Sequence, residues 1–331
     1  MSKYSHSGLA TFRACPQKYY LRYECKLERD TEEEGEALSV GKAWHGAFEA
    51  DRPMHAISEA APSTLWAHKL ARLYTAHGWY WGEDDERLEV VDVEKPFVLR
   101  IDDVIGETVL EERSLVGFID AVVRDKDGRL GIIERKTTAS DIGPASPYWD
   151  QLLMSPQHAV YAAAVRDIYG ALPSFVIYDV VKKPGIKPKA ITAAQKKAWA
   201  TSSDELAYCD EPLHEGEELL AAESERMYAA RLSQAIYANP AAYFARREAP
   251  ITEDDVSHVL DNIITTIDAI EFGCGAYKNP DSCMNFNRPC EFLSLCKSRA
   301  VVTLDDPCPD GFRRRTRVAG LDAVIEAADA K

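Results

Sequence analysis

Between Leu88 and Thr137 the apolar residues stop recurring every three or four positions and begin to alternate, and this change of period limits the folds open to the chain. Leu88–Val93, Phe97–Ile101, Ser114–Arg124 and Leu130–Thr137 are rich in β-branched residues and read as strands. Asp127–Gly128, between the last two, is a hairpin turn signal. Helical spacing flanks the block. Ser5 or Ser7 can cap a first helix carrying Leu9 and Phe12 and continuing through Tyr19, Tyr20 and Tyr23. The acidic run Thr31–Glu36 reads as a loop, followed by helices over Leu38–Ala50 and Pro62–Trp81. Beyond the strands, a helix is expected from about Asp150 to Tyr169 and a strand over Ser174–Val181. Further helices are expected at Ala193–Ala200, Ser203–Ala238 and Glu253–Glu271. The order α-β-β-β-α-β with helical flanks predicts one α/β domain over residues 1–331. Within it, residues 1–86 are a helical part, 87–200 the core, 201–300 a second helical part and 301–331 a tail.

Composition narrows the function classes. The chain is 46% hydrophobic and 28% charged, which excludes a disordered or fibrous protein. Charged residues interrupt every apolar run before the roughly 18–20 residues a membrane span needs. The N-terminus has no apolar signal segment, so a cytoplasmic location and no membrane partner are expected. Against 54 acidic residues stand 39 basic ones, a net charge of −15, which argues against a protein that coats nucleic acid. An enzyme that takes a nucleic-acid end into a local basic channel remains open. Lys182, Lys183, Lys187, Lys189, Lys196 and Lys197 form one basic stretch; Arg313, Arg314, Arg315 and Arg317 form another. Either can equally be a solvated face.

Eight cysteines in a chain without a secretion signal are not expected to form disulfides. Cys274, Cys283, Cys290, Cys296 and Cys308 crowd together near the C-terminus, while Cys15, Cys25 and Cys209 stand apart. Crowded thiols in a reducing compartment suggest soft-metal or iron–sulfur ligation.

The chemistry concentrates in Val116–Thr138, VGFIDAVVRDKDGRLGIIERKTT. Asp120 ends or interrupts an apolar strand, and Glu134 and Lys136 sit one residue apart on the next. Period-two geometry puts Ile132, Glu134 and Lys136 on one face. In a hairpin Asp120 can then lie beside Glu134 with Lys136 next to both. Two neighbouring carboxylates repel unless a hard cation such as Mg²⁺ or Mn²⁺ sits between them. A lysine beside that cation can orient the attacking water or stabilise charge on a phosphate. An exposed cross-strand ion pair would use the same residues for little energy. His45 on the early helix and the pair Gln157 and Tyr161, four apart on the helix after Lys136, are each unremarkable singly.

Together, and in this order, His45, G-x-x-D (Gly117–Asp120), E-x-K (Glu134–Lys136) and Q-x-x-x-Y (Gln157–Tyr161) resemble the RecB-like exonuclease branch of the PD-(D/E)XK nuclease superfamily. That superfamily has a restriction-endonuclease-like core of order α-β-β-β-α-β. Cys15 in the first helix, with Cys283, Cys290 and Cys296, resembles its iron–sulfur members, such as CRISPR-associated RecB-like exonucleases and AddB-type nuclease domains. The spacing Cys283-x6-Cys290 departs from the commoner x2. Zinc held by Cys274, Cys283, Cys290 and Cys296, or plain thiols, are the other readings of this set.

The resemblance implies a metal-dependent DNA exonuclease acting on single strands or ends. His45, Asp120 and Glu134 would hold Mg²⁺ or Mn²⁺, with the Arg135 carbonyl as a further ligand and Glu94 at the site's edge. Lys136, Gln157 and Tyr161 would be catalytic, and Cys15, Cys283, Cys290 and Cys296 would hold a [4Fe–4S] cluster. DNA is the implied partner, alongside other recombination, repair or replication proteins. No G-x-x-x-x-G-K-[ST] loop is present, so the chain carries no ATP motor of that kind. The alternative is a non-catalytic member of the same fold that binds DNA ends or a partner protein.

Overall fold

The computed structural model describes residues 2–30, 35–101, 113–202, 206–273, 276–285, 288–299 and 301–315. Its centre is a mixed six-stranded sheet. The strands are β1 (Ser2–Ser5), β3 (Leu88–Arg100), β4 (Arg113–Asp125), β5 (Leu130–Thr138), β6 (Phe175–Lys182) and β9 (Phe244–Pro250). Strand β2 (Leu27–Arg29) and the short hairpin β7–β8 (Ala207–Tyr208 with Glu211–Pro212) lie outside it. The order is β1-β4-β5-β6-β9, with β3 paired to the other edge of β4. β4 and β5 form the antiparallel hairpin expected at Asp127–Gly128, where Gly128 takes the positive φ of 82° that the turn demands. β5 and β6 run parallel, bridged by a helical crossover.

Helices cover both faces. The main ones are α1 (His6–Ala14), α3 (Glu36–Glu49), α5 (Thr64–Asp85), α7 (Gln157–Tyr169), α9 (Glu225–Ala238) and α10 (Glu253–Glu271). Between them lie α2 (Pro16–Tyr19), α4 (Pro53–Ala60), α6 (Pro147–Leu153) and α8 (Ala193–Ala200), with α11 (Leu293–Ser298) near the end. Every residue of α7 from Ala159 to Val165 is buried, because the helix is wedged between the sheet and the apolar stripe Val256, Leu260, Ile263 and Ile267 of α10. On the opposite face Trp44, Leu70, Leu73, Leu232 and Ile236 bring α3, α5 and α9 together over β6. No helix among the described residues is long and apolar enough to cross a membrane.

The core order α-β-β-β-α-β is present, but several boundaries differ from expectation. Ser2–Ser5 is a strand, because its backbone pairs in parallel with Arg113–Val116. Ser5 then caps α1, its Oγ accepting the Gly8 amide at 3.1 Å. That helix stops at Cys15, whose extended backbone (φ −163°, ψ 106°) precedes Pro16. The helix expected at Asp150–Tyr169 is two, α6 and α7, divided before Pro156. Only the last part of Ser203–Ala238 is helical; residues 203–205 lie outside the described residues, and β7–β8 and a 3₁₀ turn precede α9. Strand β9 carries charge at Arg246, Arg247 and Glu248, which hides it from a hydrophobic pattern. Of the acidic run read as a loop, residues 31–34 lie outside the described residues and α3 begins at Glu36.

A small second core joins the two ends of the chain. Leu21, Cys25 and Leu27 pack with Phe292, Leu295, Val302 and Phe312, and β2 pairs with Phe312–Arg314.

One buried ionic network ties the faces together. His77 of α5 contacts both carboxylate oxygens of Asp179 in β6, at 3.0 and 2.9 Å. Arg246 of β9 bonds the same carboxylate at 3.0 Å and Asp85 at 2.6 Å. Burial opposes ionisation of Asp179, but His77 and Arg246 outweigh it and hold the carboxyl below its ordinary range. The stability this confers is therefore complete above the unfolded pKa of about 4 and is lost as pH falls through the lower folded value. Asp179→Ala leaves His77 and Arg246 buried without their acceptor and is expected to cost about 3–5 kcal/mol in urea unfolding at pH 7. The difference from wild type should shrink at acidic pH; an unchanged midpoint would mean that the network is energetically neutral.

Candidate functional site

The candidate site occupies a notch in the sheet. β5 pairs with β4 from Arg124–Leu130 to Ala121–Ile133, and β1 pairs along the same edge of β4 only from Arg113 to Val116. Residues 117–120 lie between the two. In β4, Leu115, Ile119 and Val122 all face one core, while Ala121 and Val123 face the other. The three-residue step from 119 to 122 means that one residue is extra, a bulge that re-aims Asp120. Asp120 Oδ2 then accepts the Arg135 backbone amide at 2.7 Å, replacing a strand–strand bond.

Two further ligating groups meet Asp120 there. His45 is on α3, whose opposite face is anchored by buried Val40, Ala43, Trp44 and Ala47. Its Nδ1 is 3.5 Å from Asp120 Oδ1 and 3.6 Å from Glu94 Oε1. Glu94 stands opposite Asp120 by the register of Val93 with Ala121 and Lys95 with Ile119. Its φ of +45° is strained for a residue with a Cβ, at about 1–2 kcal/mol. The three ligand atoms lie within 4.8 Å of one another. A small hard cation with ligands near 2.1 Å holds neighbouring donors roughly 3 Å apart, so modest contraction would close this set around one ion.

Electrostatics point the same way. Burial opposes a charged His45, but hydrogen bonds to Asp120 and Glu94 outweigh it and lift the imidazole to about 10. Burial likewise opposes an ionised Asp120, yet His45, the Arg135 amide and Lys136 keep its pKa low. Glu134 is pushed up by burial and by Asp120, only partly relieved by Lys136. It is 1% exposed, and its Oε2 has no hydrogen-bond partner among the described residues. Glu49, one turn beyond His45, is also raised, by burial and then by Glu94. A concentration of carboxylates with a buried, unpartnered oxygen fits a divalent cation in type and number.

A second line of side chains holds Lys136. Its Nζ contacts Glu134 and donates to Gln157 Oε1 at 3.0 Å, while Gln157 Nε2 donates to the Tyr161 hydroxyl at 2.7 Å. The Tyr161 ring packs edge-on to Phe97 at 5.8 Å, and Phe97 lies against Gly117. A Cβ on Gly117 would come within 3.0 Å of that ring, which explains a glycine there. His45, Asp120, Glu134, Lys136, Gln157 and Tyr161 are thus brought together.

Three contributors were not evident from the sequence. The Arg135 guanidinium stacks 4.1 Å over Phe48 of α3 and bonds the Asp120 carbonyl at 3.4 Å, tying the His45 helix to the hairpin. Tyr148 of α6 bonds the Thr138 side chain, and its hydroxyl senses Lys136 and Glu134. His6, the first residue of α1, has a buried Nε2 without a partner among the described residues. It is driven down to about 4 by burial, then by Arg13 and Lys136. Nothing in sequence spacing links residues 6, 135 and 148.

The cysteines fall into groups. Ala14, next to Cys15, accepts hydrogen bonds from Asn279 Nδ2 and Ser282 Oγ, each at 2.8 Å. The Cys290 amide donates to the Cys283 carbonyl at 2.8 Å, and Lys278 Nζ to the Cys296 carbonyl at 2.9 Å. The Cys296 thiol is raised by burial, and Cys290, Cys15 and Cys283 all act on it in the same direction. Those four thiols are therefore electrostatic neighbours. Cys25 is buried against the Val302 carbonyl, Cys209 is half-buried and Cys308 is exposed; Cys274 lies outside the described residues. Of the basic stretches, Lys182 faces Asp141 at 3.9 Å, Arg313 and Arg315 pair with Glu28, and Arg317 lies outside the described residues.

No curated protein matches this chain. A solved structure titled "Crystal structure of SSO0001" is 14% identical over 71% of this chain and 88% of its own, with a TM-score of 0.23, too distant to carry an argument. The sequence pattern of one family matches residues 3–297, which takes in the sheet, the notch and the site residues from His45 to Tyr161. The chain belongs to the PD-(D/E)XK nuclease superfamily.

Proposed function

We propose that the chain is a RecB-like deoxyribonuclease that uses Mg²⁺ or Mn²⁺ to hydrolyse phosphodiester bonds, acting as an exonuclease on single strands or DNA ends. The observation that carries this is the meeting of His45, Glu94 and Asp120 ligand atoms beside the unpartnered Glu134 oxygen and Lys136. His45, Asp120 and Glu134 would hold the cation, and Glu94 is placed to join them. Bound there, the cation supplies a water of lowered pKa and a Lewis acid for a phosphate oxygen. Lys136, steadied by Gln157 and through it Tyr161, orients the attacking water or offsets charge developing on the phosphate. Arg135 keeps Asp120 aimed into the notch through its amide.

We further propose a [4Fe–4S] cluster on Cys15, Cys283, Cys290 and Cys296. Its support is the mutual influence of these thiols and the docking of Asn279 and Ser282 onto the residue before Cys15. Four soft thiolates suit such a cluster. It would join the two chain ends beside α1.

The first test uses protein purified anaerobically. Wild type should degrade labelled DNA with Mg²⁺ or Mn²⁺ and not in EDTA. Lys136→Ala should lose about 10²- to 10⁴-fold in kcat while still binding Mn²⁺ by electron paramagnetic resonance. Asp120→Asn and His45→Ala should weaken Mn²⁺ binding at least about tenfold. DNA binding without cleavage under every metal condition would favour the non-catalytic end-binding member of the fold. For the cluster, iron and acid-labile sulfide in equal amounts with broad visible absorbance are expected, and both should be lost in Cys15→Ala. Zinc in place of iron, or metal retained by Cys15→Ala, would overturn it.

A further inference from the structure

We infer that the Lys136 side of the notch, walled by His6 and Arg13 of α1 and by Tyr148 of α6, is a subsite for one nucleotide of a single strand. This rests on the nuclease reading and extends it from the reacting bond to the strand that carries it.

Several observations meet here. The pairing of Ser5 with Val116 sets His6 at the next step, level with Gly117 and so at the edge of the gap between β1 and β5. His6 and Arg13 are seven apart in α1 and share one face. Charge on Lys136 reaches His6 from one side and Tyr148 from the other. Two helices that are far apart in sequence thus flank one lysine.

The opening is real: the Lys136 side chain is 29% exposed, Tyr148 is half-buried and Arg13 is exposed. Tyr148 is held firmly. Its amide donates to Ser146 Oγ at 3.3 Å, Ser146 Oγ donates to the Asp141 carbonyl at 2.7 Å, and Arg247 bonds the Pro144 carbonyl at 2.8 Å. The bond from its hydroxyl to Thr138 fixes the ring's direction.

These groups match a nucleotide in parts. A fixed aromatic ring offers a stacking platform for a base, and a base can use it only when released from a duplex. A cationic guanidinium and an imidazole nitrogen lacking a partner suit the non-bridging oxygens of a phosphate. The subsite therefore selects unpaired strand rather than sequence.

The test is equilibrium binding of the full chain, in EDTA, to a fluorescein-labelled single-stranded oligonucleotide and to the blunt duplex of the same sequence. Tyr148→Ala should lose about 10- to 100-fold in single-strand affinity and little for duplex, whereas Tyr148→Phe keeps the ring and stays close to wild type. Arg13→Gln should lower the salt dependence of single-strand binding by about 0.7 in slope. His6→Phe should weaken binding, and His6→Gln, which retains a donor, should restore it. Thermal melting establishes that each variant is folded. A folded Tyr148→Ala protein that binds both DNAs as wild type does, or loses both equally, overturns the subsite. If wild type cleaves DNA while these variants behave normally, the subsite fails and the nuclease reading stands. If wild type neither binds nor cleaves either DNA, the nuclease reading itself fails and takes the subsite with it.

Discussion

The hydrogen bond from the Arg135 amide to Asp120 Oδ2 decides the shape of everything around it. In an uninterrupted hairpin that amide would bond a backbone carbonyl of β4. Giving it to a side chain ends the ladder at Ala121–Ile133, turns Asp120 inward and lets β5 diverge. The diverging end carries Glu134 and Lys136 away from β4, and the edge of β4 left beyond the gap is taken up by Ser2–Ser5. A carboxylate paired with a backbone amide is also firmly placed, because a charge-assisted bond of this kind is about twice as strong as a neutral one. The notch is a consequence of strand pairing rather than of a loop, which gives it rigid walls.

Placing four carboxylates in and around such a notch is expensive in a chain that already carries a charge of −15. The fold meets the cost with cations it can hold in place. His45 sits between Asp120 and Glu94, Lys136 lies against Glu134, and Arg135 leans on Phe48 with its amide on Asp120. What remains is uneven. Asp120 is kept ionised, while Glu134, buried and with one oxygen unpartnered, is pushed the other way. Strain at Glu94 adds to the imbalance. These stresses gather at one place, whereas the other buried acid in the sheet, Asp179, is matched by His77 and Arg246. A satisfied network supports the sheet; an unsatisfied one marks where a ligand is needed.

Much of this was legible in the sequence, and the exceptions have physical causes. The period change located the strands, and Glu134, Lys136, Gln157 and Tyr161 could be grouped because strand and helix periodicity put them within reach. Asp120 was legible as an interruption of an apolar strand, but not the bulge that aims it, because a bulge depends on how the partner strand pairs. Glu94 looked peripheral for the same reason: its position follows from the register of β3 against β4 and from a positive φ that no propensity forecasts. β1 and β9 were missed because one is four residues long and the other is rich in charge. His6, Arg135 and Tyr148 reach the site through tertiary placement alone.

The placement of β1 also explains why the N-terminal segment belongs to the site rather than to its surroundings. Four residues of strand are too few to be stable alone, so β1 depends on the edge that β5 leaves open. Its last residue caps α1, its first helical residue is His6, and the helix ends at Cys15 against Asn279 and Ser282. One short segment therefore runs from the notch to the thiols, and the far end of the chain closes on it through Phe292 and Phe312. Anything that tightens the cysteine junction steadies α1, and a steadied α1 keeps His6 and Arg13 at the mouth of the notch. The junction between the chain ends and the carboxylate site are coupled through nine residues of helix, so order at one is mechanically order at the other.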